Sequence, residues 1–236
     1  MRQQLAALVL GGVSALAIGC GTTVNGRAVA ADTSGPRTQN PVAVSALDGL
    51  LLDAGQINAA LGATSMKVWF AANAMWDWGS GVDDKSCLAI DGPAQDQVYV
   101  NSGWTAMRGQ RLDDSVDDSK KRDHYAIQAV IAYPSTREAN AFYDSSEQSW
   151  SACSNRRFSD ATPGQPDTVW TVSGLTTDNG TLSTSQVQEG GDGWACQRAL
   201  TVRNNVAIDI VACAFNQSGG PAVDVANQIA AKVAKQ

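Results

Sequence analysis

The sequence predicts an α+β domain in which mostly antiparallel strands form a twisted sheet packed with two principal helices. Three observations support this class. Several runs of β-branched and apolar residues are separated by turn-forming dipeptides, two segments carry apolar residues at helical spacing, and the cysteines beyond the N-terminal region are even in number. With 236 residues, of which 44% are apolar and 17% charged, the chain is long enough to bury a proper core.

The N-terminal segment has the order of a bacterial lipoprotein signal. Arg2 supplies a positive charge, Leu5 to Ile18 form an apolar run too short to span a bilayer, and small residues lead to Cys20. We therefore expect residues 1–19 to be a signal peptide, removed before a Cys20 whose thiol carries a lipid. The alternative is an ordinary secretory signal with an incidental Cys20, since Ala17 stands where leucine is more usual. Either signal takes the chain out of the cytoplasm.

Composition divides the remainder into a tether and a domain. Residues 20–44 mix Gly, Thr, Ala, Pro, Asn and Asp without apolar periodicity, which predicts a flexible tether from lipidated Cys20. Residues 45–236 are expected to form the folded domain. The net charge of -6 argues against a nucleic-acid partner and against electrostatic adhesion to anionic lipid. Membrane contact is therefore expected to come through the lipid at Cys20.

The domain is expected to begin with a short helix. Asp53 and Gln56 have the spacing of a capping box, the helix runs through Leu61, and Gly62 ends it. Residues 66–82 are rich in tryptophan, alanine and glycine without a clear period, which indicates an irregular loop or a short strand.

Three strands and a long helix are predicted next. Ser86 to Ile90, Gln97 to Leu112 and residues 124–134 are predicted to be strands, the last ending at Pro134. The helix begins with capping-box spacing at Ser135 to Glu138. Its apolar face is formed by Ala139, Phe142, Tyr143, Ser146, Trp150 and Cys153. A disulfide from the end of this helix would fix it to the sheet.

Two hairpins and a final helix complete the domain. Residues 168–175 and 181–189 are predicted to pair through the turn at 178–180, and a second hairpin is centred on Asn204 and Asn205. The last helix has Pro221 in its first turn. Its apolar stripe consists of Ala222, Ala226, Ile229, Ala230 and Val233.

The cysteines predict two disulfides. Setting Cys20 aside leaves Cys87, Cys153, Cys196 and Cys213, for which three pairings exist. A two-residue turn at 204–205 places Cys196 directly opposite Cys213, on a non-hydrogen-bonded pair whose Cα atoms approach to roughly 4.5 Å. That distance lies within the disulfide range. Cys87 and Cys153 then pair by elimination.

No catalytic residue, metal site or cofactor is predicted. His124 is the only histidine, CxxC spacing is missing, and no nucleophile elbow or phosphate-binding loop is present in the sequence. A structural or solvent-facing role is expected for His124. The acidic loop, with Asp113, Asp114, Asp117, Asp118 and Asp123, lacks the EF-hand pattern and is expected to be a solvated charged loop. A pair of catalytic carboxylates is neither indicated nor excluded.

Four residues are candidates for ligand binding. Trp104 and Trp194 each follow a glycine, so their indoles line a cleft or fill a core. Arg198 and Asp209 face the side of the Asn204–Asn205 hairpin that carries the disulfide, one pair out of register. A diagonal ion pair is the structural interpretation, and polar recognition in a cleft is the functional one.

Four segments resemble a known family. They are LLLDAGQINAALGAT (50–64), SGWTAMRGQ (102–110), IQAVIAYPSTREANAFYDSSEQSWSAC (127–153) and EGGDGWACQRALTVRNNVAIDIVAC (189–213). Together they resemble the PknH-like extracellular sensor domains of mycobacteria, over about residues 45–236. The resemblance implies the same two-disulfide pattern and an α/β sheet structure with a large cleft thought to receive an unknown ligand.

The function implied by this resemblance is that of a non-catalytic, lipid-anchored cell-envelope protein facing the extracytoplasmic space. Its partners would be the membrane, an unknown small or polymeric envelope ligand, and an envelope sensor protein. The sequence contains no kinase catalytic loop, DFG motif or transmembrane helix after the signal, so kinase signalling does not carry over. The alternatives are a surface protein-interaction or structural module and a hydrolase.

Overall fold

Residues 40–116, 121–161 and 166–236 are described by a computed structural model of the chain. The predicted signal peptide, Cys20 and most of the predicted tether lie outside these residues, as do Asp117 and Asp118 of the acidic loop. No helix within the described ranges combines the length and apolar character needed to cross a bilayer.

Nine strands in the described residues form one sheet. They are β1 (Lys67–Ala72), β2 (Ala106–Asp113), β3 (His124–Ala132), β4 (Arg157–Asp160), β5 (Thr168–Val172), β6 (Thr176–Asp178), β7 (Thr181–Gln188), β8 (Trp194–Arg203) and β9 (Val206–Phe215). Their order is β1-β2-β3-β9-β8-β7-β5-β4, with β6 paired to β7. All these pairings are antiparallel, which confirms the predicted sheet type.

Helices cover both faces of the sheet. They are α1 (Leu47–Leu50), α2 (Ala54–Leu61), α3 (Leu88–Asp91), α4 (Asp96–Tyr99), α5 (Thr136–Cys153) and α6 (Pro221–Val233). The apolar residues of α1, α2 and α6 share one core with one face of the sheet. Those of α3, α4 and α5 share a second core with the other face. The α+β class is confirmed, with α5 and α6 as its two long helices.

The predicted helix ends follow from local hydrogen bonds. In α2, the Asp53 carboxylate accepts from the Gln56 amide at 2.8 Å, and the Gln56 side chain accepts from the Asp53 amide at 3.1 Å. Gly62 ends α2 with φ of 68°. The predicted stripe of α6 is buried along its whole length.

The start of α5 differs in detail from the predicted capping box. Ser135 Oγ accepts from the Arg137 amide at 3.1 Å. The same hydroxyl donates to the Glu138 carboxylate, where a capping box would place the Ser135 amide as donor. Of the predicted apolar face, Ala139, Phe142, Ser146, Trp150 and Cys153 are buried, whereas Tyr143 is only partly buried.

Both predicted disulfides are present. Arg203 pairs with Val206, so the register of the β8–β9 hairpin brings Cys196 opposite Cys213. Their Cα atoms are 3.9 Å apart, closer than the expected separation. Cys87 is bonded to Cys153 at the end of α5.

One predicted strand is wrong and another is only partly confirmed. Residues 85–91 form a 3-10 turn and α3, because the Asp84 carboxylate accepts from the Ser86 amide at 3.0 Å and starts a helical turn. Within 97–112, only β2 is extended, and residues 96–99 form α4. Cys87 therefore fixes α5 to a short helical segment rather than to a strand. The tryptophan-rich stretch combines β1 with a 3-10 turn.

The folded domain begins earlier than predicted. Val42, placed in the tether by its composition, is 5% exposed. Its amide donates to Asn205 Oδ1 at 2.7 Å, and Asn205 Nδ2 donates to the Val42 carbonyl at 3.3 Å. These long-range bonds are invisible to composition. Residues 42–44 therefore belong to the domain.

Candidate functional site

A cleft with a volume of about 550 Å³ opens on the sheet face that carries α5. Its floor is a row of side chains from β3, β9, β8 and β7. Tyr125 pairs with Cys213, Cys213 with Cys196, and Cys196 with Gln186. Paired residues in an antiparallel sheet point to the same face, so the four side chains lie side by side across the strands. The Cys196–Cys213 disulfide lies in the middle of this floor.

Three indoles line the cleft, each held by a specific contact. Trp170 Nε1 donates to Thr168 Oγ1 at 3.0 Å. The ring centroid of Trp194 lies 5.0 Å from that of Phe215, edge to face. The third indole, Trp78, stacks on a neighbouring tryptophan. The cleft therefore presents planar apolar faces in fixed orientations.

The position of Trp78 depends on a glycine in β2. Trp78 stacks on Trp76 with ring centroids 5.1 Å apart. Trp76 in turn packs over Gly109, where an added Cβ would lie 2.6 Å from the indole. A glycine in a strand often marks such a close approach. We infer that Gly109 allows the segment that carries Trp76 and Trp78 to lie close to the sheet.

Charged groups are distributed unevenly around the cleft. Arg111 on β2 and Arg122 before β3 line one side, whereas Asp160 on β4 and Asp167 before β5 line the other. Strands β9, β8 and β7 lie between these two sides in the sheet. Asp91 lies between these two sides of the cleft. Gln186, on the central strand β7, donates through Nε2 to the backbone carbonyl of Asp91 at 3.4 Å.

Asp91 is the most perturbed carboxyl of the cleft. Burial raises its pKa, the nearby charge of Asp160 raises it further, and Arg198 opposes both effects, which brings the pKa to about 7. The Asp91 carboxylate accepts from Gln95 Nε2 at 3.2 Å. Asp91 therefore changes its charge near neutral pH.

This pKa predicts a pH-dependent stability. An unfolded aspartate has a pKa of about 3.9, so from about pH 4 to about pH 7 the folded chain holds a proton that the unfolded chain lacks. The stabilisation is complete below this window and is lost as the pH rises through 7. Asp91→Asn should flatten the fall in the melting temperature across the window. Asp192→Asn, which removes an exposed carboxylate outside the cleft, should leave the slope unchanged, and an equal effect of both variants would contradict the assignment.

Of the two tryptophan candidates, Trp194 lines the cleft and Trp104 does not. Trp104 lies between α4 and β2, partly buried against the core on the α5 side. Of the two interpretations offered for these indoles, core packing therefore applies to Trp104.

Arg198 and Asp209 form the diagonal ion pair that was considered from the sequence. Arg198 Nη2 donates to Asp209 Oδ1 at 2.8 Å, and the two side chains are 1% and 5% exposed. Neither residue lines the cleft. The candidate assignment to direct ligand contact is corrected on this point, because the two charged groups bind each other and the segment 88–99 instead of lining the cleft.

The same pair holds a wall of the cleft in place. Asp209 Oδ2 accepts from the Ala94 amide and from Tyr99 Oη, both at 2.9 Å. Arg198 Nη2 donates to the Ala89 carbonyl at 3.0 Å. These bonds fix the segment 88–99, which carries Asp91 and its neighbours in the wall.

Neither His124 nor the described aspartates of the acidic loop, Asp113, Asp114 and Asp123, line the cleft. His124 Nδ1 lies 2.7 Å from Asp114 Oδ2. Burial acts to raise the pKa of Asp114, but hydrogen bonds from His124 and from two backbone amides outweigh it and lower that pKa. Asp113 is fully buried and accepts from Arg111 at 2.7 Å, so this part of the loop is packed rather than solvated. Across the described residues, no three His, Cys, Asp or Glu side chains are placed to hold a metal ion.

Most of the cleft was missed by sequence reasoning. Trp170, Asp91, Arg111 and Arg122 belong to no motif in the sequence. These residues come from separate elements that only the strand order brings together. One part of the cleft could be found from the sequence. If β7 is paired with β8 in the same way that β8 is paired with β9, Gln186 lies beside Cys196.

The fold and site define a class of protein: a disulfide-bonded α+β domain, of the kind that folds in oxidising extracytoplasmic compartments, with an aromatic-lined cleft. Residues 42–232 match the family model described as the PknH-like extracellular domain. The chain belongs to this family, which confirms the predicted resemblance.

Relatives of known sequence and structure agree with this assignment. The serine/threonine-protein kinases PknH of Mycobacterium bovis and Mycobacterium tuberculosis are 33% identical to this chain over 196 residues, or 82% of the chain. The match covers 31% and 29% of the two kinases, so the chain spans about a third of the length of these relatives. The crystal structure of the extracellular domain of PknH from M. tuberculosis superposes with a TM-score of 0.79 at 31% identity. That superposition covers 84% of this chain and 99% of the solved one.

Proposed function

We propose that this protein is a non-catalytic, lipid-anchored cell-envelope protein whose PknH-like domain binds a ligand in the cleft. The observation that carries the proposal is the cleft itself. Its volume of about 550 Å³ lies within the range of about 300–1,000 Å³ typical of small-ligand sites. Fixed indoles beside convergent charged and amide groups are the usual lining of such sites.

The proposal is tested by thermal shift with fractions of a mycobacterial cell envelope. A fraction that contains the ligand should raise the melting temperature of the wild-type domain, because binding to the folded state alone stabilises it. Trp194→Ala should abolish the shift. Phe70→Ala, which truncates a 51% exposed aromatic residue on β1 outside the cleft, should preserve it. Equal shifts for the wild type and Trp194→Ala would place the binding elsewhere.

Anchoring through Cys20 is the second part of the proposal. The apolar run before Cys20 supports it, together with membership of an extracellular domain family. In the full-length chain, Cys20→Ser should release most of the protein from the membrane fraction into the soluble extracytoplasmic fraction. Cys20 has no disulfide partner left among the four paired cysteines, so folding should be unaffected. Retention of the variant in the membrane would contradict lipid anchoring.

A partner in the envelope follows from this anchor. The relatives PknH of M. bovis and M. tuberculosis are serine/threonine-protein kinases, whereas the role proposed for this chain is non-catalytic. A ligand-bound domain tethered by a lipid has to pass its signal or cargo to another extracytoplasmic protein. We propose an envelope sensor protein in that role.

Hydrolysis is a second candidate because of one observation, the raised pKa of Asp91 beside Asp160 in the cleft. A carboxyl whose pKa lies near 7 suits the general-acid role, which is one of the two carboxyl roles in glycoside hydrolases. Release of reducing ends from envelope polysaccharide by the wild type, abolished in Asp91→Asn, would favour this candidate over binding alone.

A protein-interaction module remains the third candidate, favoured by the edge of the sheet. Val68 and Phe70 on β1 are 43% and 51% exposed, and β1 is the first strand of the sheet. Exposed apolar residues on an edge strand favour pairing with another chain. This candidate would be favoured by two results together. An envelope protein would co-purify with the wild type but not with Phe70→Ala, and envelope fractions would not raise the melting temperature in a way that depends on Trp194.

A further inference from the structure

The uneven distribution of charge around the cleft restricts what the ligand is. Guanidinium groups line the β2–β3 side, and carboxyl groups line the β4–β5 side. A ligand with negative charge along its whole length would meet Asp160 and Asp167 and be repelled. A ligand with one acidic group is accommodated in a single orientation.

The arginine side has the features of an anion site. The guanidinium carbons of Arg122 and Arg111 lie 4.4 Å and 5.8 Å from the centroid of the same ring, that of Tyr125. Arg111 pairs with Asp113, but its Nε is buried and has no hydrogen-bond partner among the residues that the structure describes. None of the ion pairs found among the described residues involves Arg122. Arg111 and Arg122, the charged side chains that line this side of the cleft, are both cationic, and their planar guanidinium groups suit a carboxylate or a phosphate.

The centre of the cleft suits rings that carry hydroxyl groups. Gln188 on β7 pairs directly with Trp170 on β5, which places an amide beside an indole on one sheet face. Gln186 is 2% exposed and lines the cleft, and its Oε1 has no partner among the residues described. An orphaned buried acceptor is costly unless a donor reaches it. Sugar rings stack their C–H faces on indoles and direct their hydroxyls to such planar amide and carboxylate groups.

We propose that the ligand of the cleft is a saccharide bearing an acidic group, bound with its carboxylate or phosphate at Arg111 and Arg122 and its rings on Trp170 and Trp194. This inference rests on the proposed binding function and specifies its ligand class. The hydroxyls farthest from the acid point to the carboxylates of the β4–β5 side. The carboxylate and phosphate forms share this chemistry, and the test separates them.

The test measures binding by tryptophan fluorescence and calorimetry with four probes. Cellobiouronic acid carries a carboxylate and maltose 1-phosphate carries a phosphate, and cellobiose and maltose are their neutral counterparts. At least one acidic disaccharide should bind about ten-fold or more tightly than its neutral counterpart, the effect of one charge-assisted hydrogen bond. The acidic probe that binds identifies the acidic group. No binding of either acidic probe at millimolar concentration overturns the ligand class.

Arg122→Gln should remove the preference for the acidic probe. It was chosen over Arg111 because loss of Arg111 would leave the buried Asp113 without its cation. Arg137→Gln is the matched control, since it removes the same charge from an 89% exposed side chain at the start of α5. If Arg122→Gln fails to fold, a salt titration of the wild type replaces it, because the affinity for the acidic probe alone should fall with ionic strength.

The failure of this inference is distinguishable from that of the proposed function. Equal affinities for acidic and neutral probes, with the Trp194-dependent shift by envelope fractions intact, would overturn the ligand class and leave cleft binding in place. Loss of both the preference and the shift would overturn both. An unchanged preference in Arg122→Gln would overturn the assignment of the anion to the arginine side.

Discussion

Asp209→Ala is expected to lower the free energy of unfolding by about 3–5 kcal/mol, because it leaves the buried Arg198 guanidinium without its counter-ion. Arg198 is among the largest fully buried side chains of the domain. The variant also removes the acceptor of the Ala94 amide and the Tyr99 hydroxyl. The Arg198 guanidinium, the Ala94 amide and the Tyr99 hydroxyl then lack the Asp209 carboxylate as acceptor in the protein interior.

Urea unfolding of matched variants measures this cost. Glu189→Gln is the control, since it breaks the ion pair between Arg157 and Glu189, whose side chains are 64% and 41% exposed. An exposed pair contributes about 0–1 kcal/mol, so the control should lose far less than Asp209→Ala. Equal losses in the two variants would show that burial of the Arg198–Asp209 pair does not determine its cost.

A double variant separates the pair from its individual charges. Arg198→Met with Asp209→Leu removes both charges together, and replacing a buried ion pair by apolar residues is often neutral or stabilising. We expect the double variant to be more stable than Asp209→Ala. The polar atoms of Ala94 and Tyr99 still lose their partner, so full recovery of wild-type stability is not expected.

Removal of the Cys87–Cys153 disulfide is expected to cost about 4 kcal/mol, more than removal of Cys196–Cys213 at about 3 kcal/mol. In the chain-entropy model a cross-link that closes a longer loop restricts the unfolded chain more. The sequence separations are 66 and 17 residues. Both cysteines of each pair are replaced by alanine, so that no free thiol remains to mispair.

Urea unfolding of the two double variants ranks the disulfides. The Cys87–Cys153 variant also releases the end of α5 from the segment that starts α3, and that segment forms a wall of the cleft. A larger loss for the Cys196–Cys213 variant would contradict the loop-length argument and would indicate that the cleft floor depends on its disulfide.

Local chemistry was sufficient to predict several elements. Asp53 and Gln56 form the capping box that their spacing predicts. The Cys196–Cys213 pairing followed from hairpin register, because a two-residue turn leaves one alignment of its strands. In these cases the partners lie close in sequence, so spacing alone determines which atoms meet.

Short apolar runs were the main source of error. Ser86 to Ile90 has the composition of a strand, yet the Asp84 carboxylate caps its amides and the run is helical. Four apolar residues in a row have no usable period, so composition does not separate a buried strand from a buried helical turn. The partial alternation of residues 97–112 also predicts a strand that includes Trp104, whereas Trp104 lies between α4 and β2.

By itself, the sequence determined the α+β class, the two disulfides, the long helices and the family, since caps, turns and cysteine spacing are local in the chain. It also pointed to Trp194 in the cleft. That Arg198 and Asp209 are buried supports of the cleft wall follows only from the way the strands and helices pack. Likewise, only the strand order placed Arg111 across the cleft from Asp160. The physical reason is that burial, and the pKa of Asp91 that depends on it, arise from contacts between residues far apart in the sequence.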